Sequence, residues 1–537
     1  MSSLDLRDLG GGTGNGLLAS RANYSPDQPA VMFEGTETTY RQLDEGASRV
    51  ASALISLGLE PGDAVSVFMS SRPEFLMASF GIGRAGLRFV PVNTAYKGSF
   101  LEYAIEHSDS RAIITEARLA GPIADLDTLP AAVTSVVYLD GAPERLPQGD
   151  AATYEWADLL AKTDVRSEFP LVQPGDIGGI SYTSGTTGRS KGVLSPSLAG
   201  VVMAREVAVA MGTTTRDRLY TCLPLFHGAA LIASCLHAIY AGATICLSSR
   251  FSASGFWDEI RETEATQFNA LGSIIPMLLA QPPSPRDRDH HVQRVFAAPA
   301  PPEVLHRFEA RFGIHIVEGY GSSETKNVTY NPIQGRKVGS IGKPTASTIL
   351  EIHDEEGKLL SPGEVGEIVY RPRMANIMFK GYHRDPESTL AGMADLWWHT
   401  GDLGYTDHDG FFYFVDRKKD AMRRRGENIS SQEVEASLML FPGIHEAAAV
   451  AVRSELGEDE VMAVFEAADA TSFDFEALFR HCDKTMPHFM VPRYYRLSQS
   501  LPRTPTGKIR KVALRDEGVT TETWDAHSSG MRATRHL

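Results

Sequence analysis

An alternation of strand-like and helix-like segments most constrains what this chain can fold into. Val31–Tyr40 alternates apolar and polar residues around Glu34-Gly35, which predicts a hairpin. Apolar residues then recur at spacings of three and four from Leu43 to Leu57, and Gly58 closes the predicted helix. A strand, a helix and three more strands follow: Ala64–Met69, Glu74–Ala85, Phe89–Val92, 112–115 and 134–139. This rhythm predicts a layered α/β domain with a largely parallel sheet, preceded by an irregular arm over residues 1–25.

A loop rich in glycine and hydroxyl residues, Ser181–Val193, follows the predicted strand Asp176–Tyr182. Successive backbone N–H groups in such a loop form an anion-binding concavity, and its lysine adds a positive charge. It is not a Walker A loop, because Ser190 and Gly192 stand where that motif needs a glycine and a hydroxyl. The candidate phosphate-binding residues are Thr183, Ser184, Gly185, Thr186, Thr187, Gly188 and Lys191.

Length and charge narrow the class of protein. A chain of 537 residues is too long for one domain, and its net charge of -15 argues against nucleic acid or an anionic membrane surface as the main partner. The four cysteines lack disulfide or zinc spacing and are expected to be buried apolar groups. No segment has the apolar character of a signal peptide or a membrane span, so we expect a cytoplasmic protein.

The order T-S-G-T-T-G-x-x-K-G over Thr183–Gly192 resembles the signature loop of the adenylate-forming superfamily, which includes acyl-CoA synthetases, peptide-synthetase adenylation domains and luciferases. The resemblance extends over about residues 30–515. It implies a large α/β N-terminal domain with a small β-barrel-like part, followed by a small mobile α+β lid. The expected boundaries are 1–418 for the ATP- and acid-binding domain and 419–537 for the lid.

A second motif, Ile316–Thr325, matches the family pattern Y-G-x-x-E-T. Tyr320 offers a flat face for adenine, Thr325 can donate to a phosphate, and Glu324 can hold Mg²⁺, which takes oxygen ligands. The family's adenine-facing segment corresponds to Ala298-Pro299, with Ala297 where glycine is common. The nucleotide-binding residues that the resemblance implies around these motifs are Ala298, Pro299, Glu318, Gly319, Tyr320 and Gly321.

Residues 338–419 are rich in short strand patterns and predict the barrel-like part. Within it, Thr400-Gly401-Asp402 is by itself most often only a turn. In the family an aspartate here binds the ribose, so the resemblance assigns that role to Asp402. It also assigns Arg417 to the ribose and phosphate region and Lys419 to the hinge.

The C-terminal part carries the remaining motifs. Arg423-Arg424-Arg425 would suit the phosphates of CoA, although such a run is usually a solvated surface. The pattern R-R-G-E-N-x-S-x-x-E-V-E most resembles the crotonobetaine/carnitine–CoA ligase branch. This resemblance places Arg425, Gly426 and Glu427 at the thioester-forming site. Pro502–Ile509 resembles P-x-T-x-x-G-K, whose lysine, here Lys508, contacts the carboxylate and the α-phosphate. The segment from about Thr521 is expected to be disordered.

These features predict an ATP-dependent carboxylic acid–CoA ligase that works through an acyl-adenylate, with ATP, Mg²⁺ and CoA as cofactors or co-substrates. His227 matches the family's acyl-pocket segment, although a lone histidine is more often a core residue. Two alternatives stay open: transfer of the activated group to an amine, nitrite or a carrier protein, and a catalytically silent nucleotide-binding protein. The sequence does not name the acid, and it leaves open whether the chain forms a homodimer. The residues that could line the acid pocket are His227, Gly228, Asn269, Ala298 and Gly321.

Overall fold

The computed structural model describes residues 6, 8–141, 143, 145, 149–183, 190–270, 274–297, 302–418, 420, 422–424, 427–453, 459–468, 473–504 and 507–533, without the side chains of 423, 427, 428 and 453. The chain divides into two compact units. The first unit comprises Met1–Thr183, Lys191–Leu350 and Tyr370–Met393, and the second comprises Ser184–Ser190, Glu351–Val369 and Ala394–Leu537. The predicted boundary at 418/419 remains a prediction, and Lys419 lies outside the described residues.

Two large sheets form the frame of the first unit. The seven-stranded sheet has the order Ala152–Glu155, Ser135–Leu139, Ser110–Glu116, Ala64–Phe68, Arg88–Pro91, Ile177–Tyr182 and Gly192–Pro196. The nine-stranded sheet has the order Lys343–Pro344, Lys326–Tyr330, His315–Ser322, Arg294–Ala297, Gln267–Ala270, Arg218–Thr221, Thr244–Leu247, Pro29–Phe33 and Thr36–Thr39. Their central strands pair in parallel, which confirms the α/β class that the alternation predicted.

Helices connect these strands, and the largest buried cluster contains residues of both sheets and of the packed helices Tyr40–Ser56 and Pro73–Arg84. A π-helical turn, Leu231–Leu236, interrupts the apolar helix after His227. The described helices of this unit, including two 3-10 turns, are Gly10–Gly12, Gly14–Tyr24, Tyr40–Ser56, Pro73–Arg84, Ser99–His107, Ala117–Leu119, Ala120–Ala124, Trp156–Lys162, Ser197–Met211, Gly228–Ala230, Leu231–Leu236, His237–Ala241, Phe256–Glu262, Ile274–Ala280, Pro302–Phe312 and Pro386–Ala391.

The predicted irregular arm is wrong over most of its described length, because Gly14–Tyr24 is an α-helix. The Thr13 side chain caps it by accepting from the Gly16 backbone N–H at 3.1 Å. Leu17 and Leu18 are buried in the main core. Tertiary burial of these two leucines therefore outweighs the low helix propensity of the neighbouring glycines.

The second unit contains most of a curled five-stranded sheet, as the barrel-like prediction required, with Trp397–Thr406 antiparallel to Phe412–Arg417. The other strands of this sheet are Thr348–His353, Gly366–Pro372 and Met393–Ala394. A two-stranded sheet pairs Met422–Arg424 with Glu427–Ile429. A four-stranded sheet has the order Ile444–Arg453, Asp459–Ala467, Tyr494–Leu497 and Trp524–Asp525. The described helices are Ser431–Met439, Phe475–Thr485 and Lys511–Glu517.

The C-terminal segment from Thr521 was expected to be disordered, and this is wrong for its described part. Trp524–Asp525 pairs antiparallel with Tyr494 and Tyr495, and Ala526 is fully buried. The Asp525 carboxylate also pairs with Arg493 at 3.0 Å. Sheet pairing and an ion pair therefore fix a stretch whose composition carries no strong signal of order. All four cysteines are buried and unpaired, as expected, and no helix in the described ranges is long and apolar enough to cross a membrane.

His237 makes the stability of the first unit depend on pH. Its buried ring lies 2.7 Å from the Thr213 hydroxyl, and burial lowers the pKa of His237 to about 4. Below the ordinary pKa of a histidine, the unfolded chain takes up a proton at His237, whereas the folded chain does not. The free energy of unfolding therefore falls as the pH drops from 7 toward 4. Between pH 7 and pH 5 this histidine alone is expected to cost about 2 kcal/mol of unfolding free energy. Urea unfolding at pH 7 and pH 5 should show a larger decrease in the free energy of unfolding for wild type than for His237→Gln. Equal decreases in the two proteins would contradict the assignment.

Candidate active site

A hairpin presents the predicted phosphate loop. Ile177–Tyr182 and Gly192–Pro196 pair antiparallel, with Tyr182 opposite Gly192. Thr183 and Lys191 close the hairpin, because the Thr183 N–H donates to the Lys191 carbonyl at 3.0 Å and the Lys191 N–H donates to the Thr183 hydroxyl at 3.2 Å. The predicted residues Ser184, Gly185, Thr186, Thr187 and Gly188 lie outside the described residues.

Lys191, Tyr382 and Glu324 form a cluster beside this hairpin. The Lys191 ammonium lies 4.7 Å from the centre of the Tyr382 ring, and the Tyr382 hydroxyl donates to Glu324 Oε1 at 2.8 Å. Burial, followed by the Glu324 charge, raises the pKa of Tyr382 above its ordinary value, so the phenol stays protonated and able to donate. The structure thus brings together one residue of the phosphate loop and the predicted metal ligand through a side chain that the sequence analysis did not name.

Main-chain pairing places Tyr382. The Lys380 N–H donates to the Leu194 carbonyl at 2.8 Å, and the His383 N–H donates to the Gly192 carbonyl at 2.7 Å. This segment therefore runs alongside the strand that follows the phosphate loop. Its sequence signal is weak, because it lacks an apolar period. The polar aromatic Tyr382 directly after Gly381, which has a φ of +115°, is the feature that could have drawn attention to it.

The Ser322–Lys326 turn shapes the second motif. The Thr325 hydroxyl accepts from the Ser322 N–H at 3.2 Å and donates to the Lys326 carbonyl at 2.9 Å. The Lys326 ammonium donates to the Ser195 hydroxyl at 2.9 Å and the Ser323 carbonyl at 2.8 Å. Loss of hydration lowers the pKa of Lys326 to about 8, against the opposing effect of the Glu324 charge. Lys326 is a second cation near Glu324 that the sequence analysis missed.

Glycines and a buried carboxylate fix the strand His315–Ser322 that carries Tyr320. A Cβ on Gly321 would lie 1.9 Å from the Lys326 carbonyl oxygen, and one on Gly319 would lie 2.8 Å from the Phe296 ring. Gly321 therefore needs glycine, because the clash is with backbone, whereas a side chain at Gly319 would displace the Phe296 ring. Glu318 is 1% exposed and accepts from the Asn331 side-chain amide at 3.2 Å, which points to a structural role for its carboxylate.

His227 and Asn269 lie at the entrance of the apolar helix. The His227 and Phe226 rings are 4.6 Å apart, and the Asn269 amide donates to the Ala229 carbonyl at 2.7 Å. The π-helical turn begins two residues later, and such turns frequently occur at functional sites. Ala298 and Pro299, which the prediction placed near the base, lie outside the described residues.

In the second unit, Asp402 and Arg417 stand opposite each other on paired strands and form an ion pair of 2.8 Å. Asp402 is 2% exposed, whereas about half of the Arg417 side chain is exposed. Glu367 supports this turn by accepting from the Gly401 N–H at 3.0 Å and pairing with Lys418 at 3.1 Å. Burial alone would raise the pKa of Glu367, but these partners and His399 lower it overall.

Lys508 lies close enough to Asp402 and Arg417 for their charges to act on it. Loss of hydration and then the Arg417 charge lower the pKa of Lys508, while Asp402 opposes them. Its backbone is held in a tight turn, because the Thr504 N–H donates to the Lys508 carbonyl at 2.7 Å and Gly507 has a φ of +82°. The predicted ribose ligand and the predicted lysine thus belong to the same unit, within reach of each other's charge.

The arginine run is not a uniform phosphate-binding surface. Arg424 is 4% exposed, pairs with Glu460 at 2.9 Å and donates to the Val491 carbonyl at 2.9 Å, so its charge is already neutralised inside the unit. The suggestion that it meets the phosphates of CoA is therefore wrong. Arg425 and Gly426 lie outside the described residues, and Glu427 begins the strand Glu427–Ile429 with its side chain not described.

The model of the AMP-binding enzyme family matches residues 18–383, which is more than half of the chain, and the model of the AMP-binding enzyme C-terminal domain matches residues 433–508. The chain belongs to the AMP-binding enzyme family. A curated relative of this AMP-binding enzyme, the crotonobetaine/carnitine–CoA ligase of Salmonella paratyphi B, is 30% identical over 502 residues, covering 91% of this chain and 96% of the relative.

Two solved structures similar to this AMP-binding enzyme hold nucleotide. ATP-bound MatB from Rhodopseudomonas palustris is 26% identical with a TM-score of 0.82, covering 94% of this chain and 99% of that chain. The o-succinylbenzoate coenzyme A synthetase MenE from Bacillus subtilis, in complex with ATP and magnesium ion, is 25% identical with a TM-score of 0.80. The match covers 93% of this chain and 99% of that chain. These likenesses confirm the predicted fold class.

The residues present fit a magnesium ion. Glu324 supplies a carboxylate and Thr325 a hydroxyl, and Mg²⁺ takes oxygen ligands of this kind together with substrate phosphates. Tyr382 occupies only Oε1 of Glu324, and no hydrogen bond within the described part of the chain reaches Oε2. When bound, the ion would supply positive charge for the phosphates of ATP. The Tyr382 phenol would hold the carboxylate in the orientation that such a ligand needs.

Removing the Tyr382 hydroxyl should loosen this carboxylate. Tyr382→Phe keeps the ring beneath Lys191 but loses the hydrogen bond to Glu324, so we expect the Mg²⁺ concentration for half-maximal ATP binding to rise about tenfold. Isothermal calorimetry of ATP binding at several Mg²⁺ concentrations measures this shift. Tyr220→Phe is the matched control, because its phenol also donates to a carboxylate, that of Glu259, at 2.8 Å. A Tyr382→Phe chain with wild-type Mg²⁺ dependence would refute the role.

Proposed function

We propose that this chain is an AMP-forming carboxylic acid–CoA ligase: an acid and ATP give acyl-AMP and pyrophosphate, and CoA then displaces AMP to give acyl-CoA. The observation that carries the proposal is the AMP-binding enzyme match over both parts of the chain, with Lys191 and Glu324 joined through Tyr382. The CoA-ligase relative, which is matched over 96% of its own length, supports CoA as the acceptor.

The first half-reaction requires the protein to bring two anions together, the acid carboxylate and the triphosphate of ATP. The carboxylate attacks the α-phosphorus of ATP, and the bond to the pyrophosphate oxygen breaks. Pre-positioned positive charge and hydrogen-bond donors lower this barrier. We assign Lys191 and Thr183 to the phosphates, Glu324 and Thr325 to the metal and phosphates, Tyr320 to the base, and Asp402 with Arg417 to the ribose. Lys508 would donate to the acid carboxylate and the α-phosphate. Apart from Glu318, whose carboxylate is buried against Asn331, the remaining predicted site residues keep their predicted roles.

The acid pocket is proposed at His227 and Asn269, where the apolar helix that follows the strand Arg218–Thr221 begins. We propose a crotonobetaine- or carnitine-like acid as the first candidate for the panel, because the named relative is a crotonobetaine/carnitine–CoA ligase. We further propose that the enzyme works in the cytoplasm, where ATP and CoA are both available.

Pyrophosphate exchange tests the first half-reaction and mass spectrometry tests the second. Purified protein with Mg²⁺, ATP and a panel of acids should exchange labelled pyrophosphate into ATP with at least one acid. Adding CoA should then yield the acyl-CoA. Exchange without any thioester would redirect the activated group to another acceptor, and no exchange with any acid would refute adenylation.

A further inference from the structure

Two histidines from distant parts of the first unit meet beside the hairpin that carries the predicted phosphate loop. His107 ends the helix Ser99–His107, and His383 directly follows Tyr382. The centres of the two imidazole rings are 5.3 Å apart and the ring planes are nearly perpendicular, so the rings pack edge to face. The roles assigned above to ATP, metal and acid use neither of these partly buried, titratable rings.

His107 holds the strand that enters the loop. Its Nδ1 lies at hydrogen-bond distance, 3.0 Å, from the hydroxyl of Tyr182, which ends the strand Ile177–Tyr182. Burial raises the pKa of Tyr182, so the hydroxyl stays protonated at neutral pH. The Tyr103 ring packs at 4.8 Å from the His107 ring and 6.1 Å from the Tyr182 ring. These contacts fix the last residue before Thr183.

His383 holds the strand that leaves the loop. Its N–H donates to the Gly192 carbonyl at 2.7 Å. A Cβ on Gly192 would lie 3.3 Å from the Cβ of His383, so the histidine side chain starts directly over this strand. Gly192 is paired with Tyr182 across the hairpin. The two histidines, which contact each other, therefore hold opposite strands of one hairpin at its last paired residues.

An ion pair with unusual backbone geometry supports His383. Asp109 Oδ1 lies 2.5 Å from Arg384 Nη2, and Asp109 Oδ2 lies 3.5 Å from His383 Nε2. Asp109 and Arg384 both have a φ of +55°, a left-handed conformation that costs free energy in residues other than glycine. Such a conformation persists where surrounding contacts fix it, and it is concentrated at functional sites.

The charge of the histidine pair depends on pH. Loss of hydration lowers the pKa of both rings, followed for His107 by the charge of His383 and opposed for His383 by a nearby carboxylate. Two imidazolium rings at this separation would repel each other, and a proton on His107 Nδ1 would remove the lone pair that faces the Tyr182 hydroxyl. The charged groups that face the pair are Asp109, Asp385, Arg88 and Arg384.

We propose that His107 and His383 are positioning residues that hold the two strands of the phosphate-loop hairpin, and that acid releases this hold and weakens ATP binding. The inference rests on the proposed function, which assigns Thr183 and Lys191 to the phosphates. In this role the histidines act through the hairpin backbone and do not contact the nucleotide. Pre-positioned donors bind phosphate more tightly because less order is lost on binding.

Two substitutions of His107 test the hold in the full chain. His107→Phe keeps a ring against His383 but loses the hydrogen bond to Tyr182, so the Kd for ATP at pH 7.5 should rise about fivefold. His107→Asn places a neutral hydrogen-bonding group near the position of Nδ1 and should restore most of the affinity. Calorimetry of ATP binding at saturating Mg²⁺ measures both. If His107→Phe does not fold, Tyr182→Phe removes the same hydrogen bond from the other side.

The pH dependence separates this role from a merely structural one. Between pH 7.5 and pH 5.5, the affinity of wild type for ATP should fall at least about twofold more than that of His107→Asn, whose amide takes up no proton. The titration of ATP itself is the same in both samples and cancels. His290→Phe is the matched control, because His290 is another partly buried histidine of this unit, with its ring stacked on Trp257 at 4.9 Å. This control should keep the wild-type acid loss.

An unchanged Kd in His107→Phe, in an enzyme that forms acyl-adenylate, would overturn the positioning role while the proposed function stands. Equal acid losses in wild type and His107→Asn would overturn the release by acid. If wild type binds no ATP, the proposed function fails, and amide hydrogen exchange then decides the hold. The Thr183 N–H bonds to the Lys191 carbonyl across the hairpin. Faster exchange there in His107→Phe would support the proposal, and equal exchange would refute it.

Discussion

Lys508→Ala is expected to lower the rate of acyl-adenylate formation by at least about 100-fold, the usual cost of removing one pre-positioned donor at a developing charge. Lys508 lies within reach of the charges of Asp402 and Arg417. In the proposed role, its ammonium would donate to both the acid carboxylate and the α-phosphate. Thioester formation from preformed acyl-AMP should be largely spared, because that step does not join two anions. Pyrophosphate exchange measures the first half-reaction, and CoA-dependent consumption of synthetic acyl-AMP measures the second.

The pH profile gives a second readout for Lys508. Because the pKa of Lys508 is lowered, its charge is lost at a lower pH than that of an ordinary lysine, and adenylation should fall correspondingly early as the pH rises. Lys508→Arg keeps a positive charge at high pH, so its residual activity should lose this alkaline decline. Lys484→Ala, which removes an exposed lysine of the same unit, is the control. Equal loss of both half-reactions in Lys508→Ala would count against the assignment.

Glu324→Gln is expected to lower adenylation by about 100-fold, since it removes the charge that a magnesium ion needs while keeping the shape of the side chain. The amide oxygen of the substituted side chain could still accept from Tyr382, so the effect isolates the charge. The expected signature is a large rise in the Mg²⁺ concentration required for ATP binding, measured by calorimetry. Glu259→Gln is the matched control, because Glu259 accepts from Tyr220 at the same 2.8 Å distance.

A double-mutant cycle then separates the charge from its positioning. If Tyr382 acts only by orienting Glu324, the Tyr382→Phe change should have little further effect in the Glu324→Gln background. If Tyr382→Phe has the same effect in wild type and in Glu324→Gln, Tyr382 acts independently of the carboxylate. Wild-type Mg²⁺ dependence in Glu324→Gln would remove Glu324 from the metal site altogether.

Local patterns were sufficient for most elements of the fold. The hairpin at Val31–Tyr40, the helix over Leu43–Leu57 and the strand at Ala64–Met69 follow from periodicity and turn residues, and the structure confirms them. The helix Gly14–Tyr24 and the strand Trp524–Asp525 were missed for one reason. Each is stabilised by contacts with residues distant in sequence, which no local pattern reports.

For the candidate site, the sequence by itself determined the family, the fold class and the motif residues that carry charge or hydroxyl groups, because backbone turns and phosphate chemistry restrict which residues can stand there. Only the tertiary structure showed that Tyr382 contacts both Lys191 and Glu324. It also showed that Glu367 supports the turn at Asp402, and that Arg424 is buried in an ion pair with Glu460. These are pairings between segments far apart in the chain, and their partners are chosen by sheet order and packing.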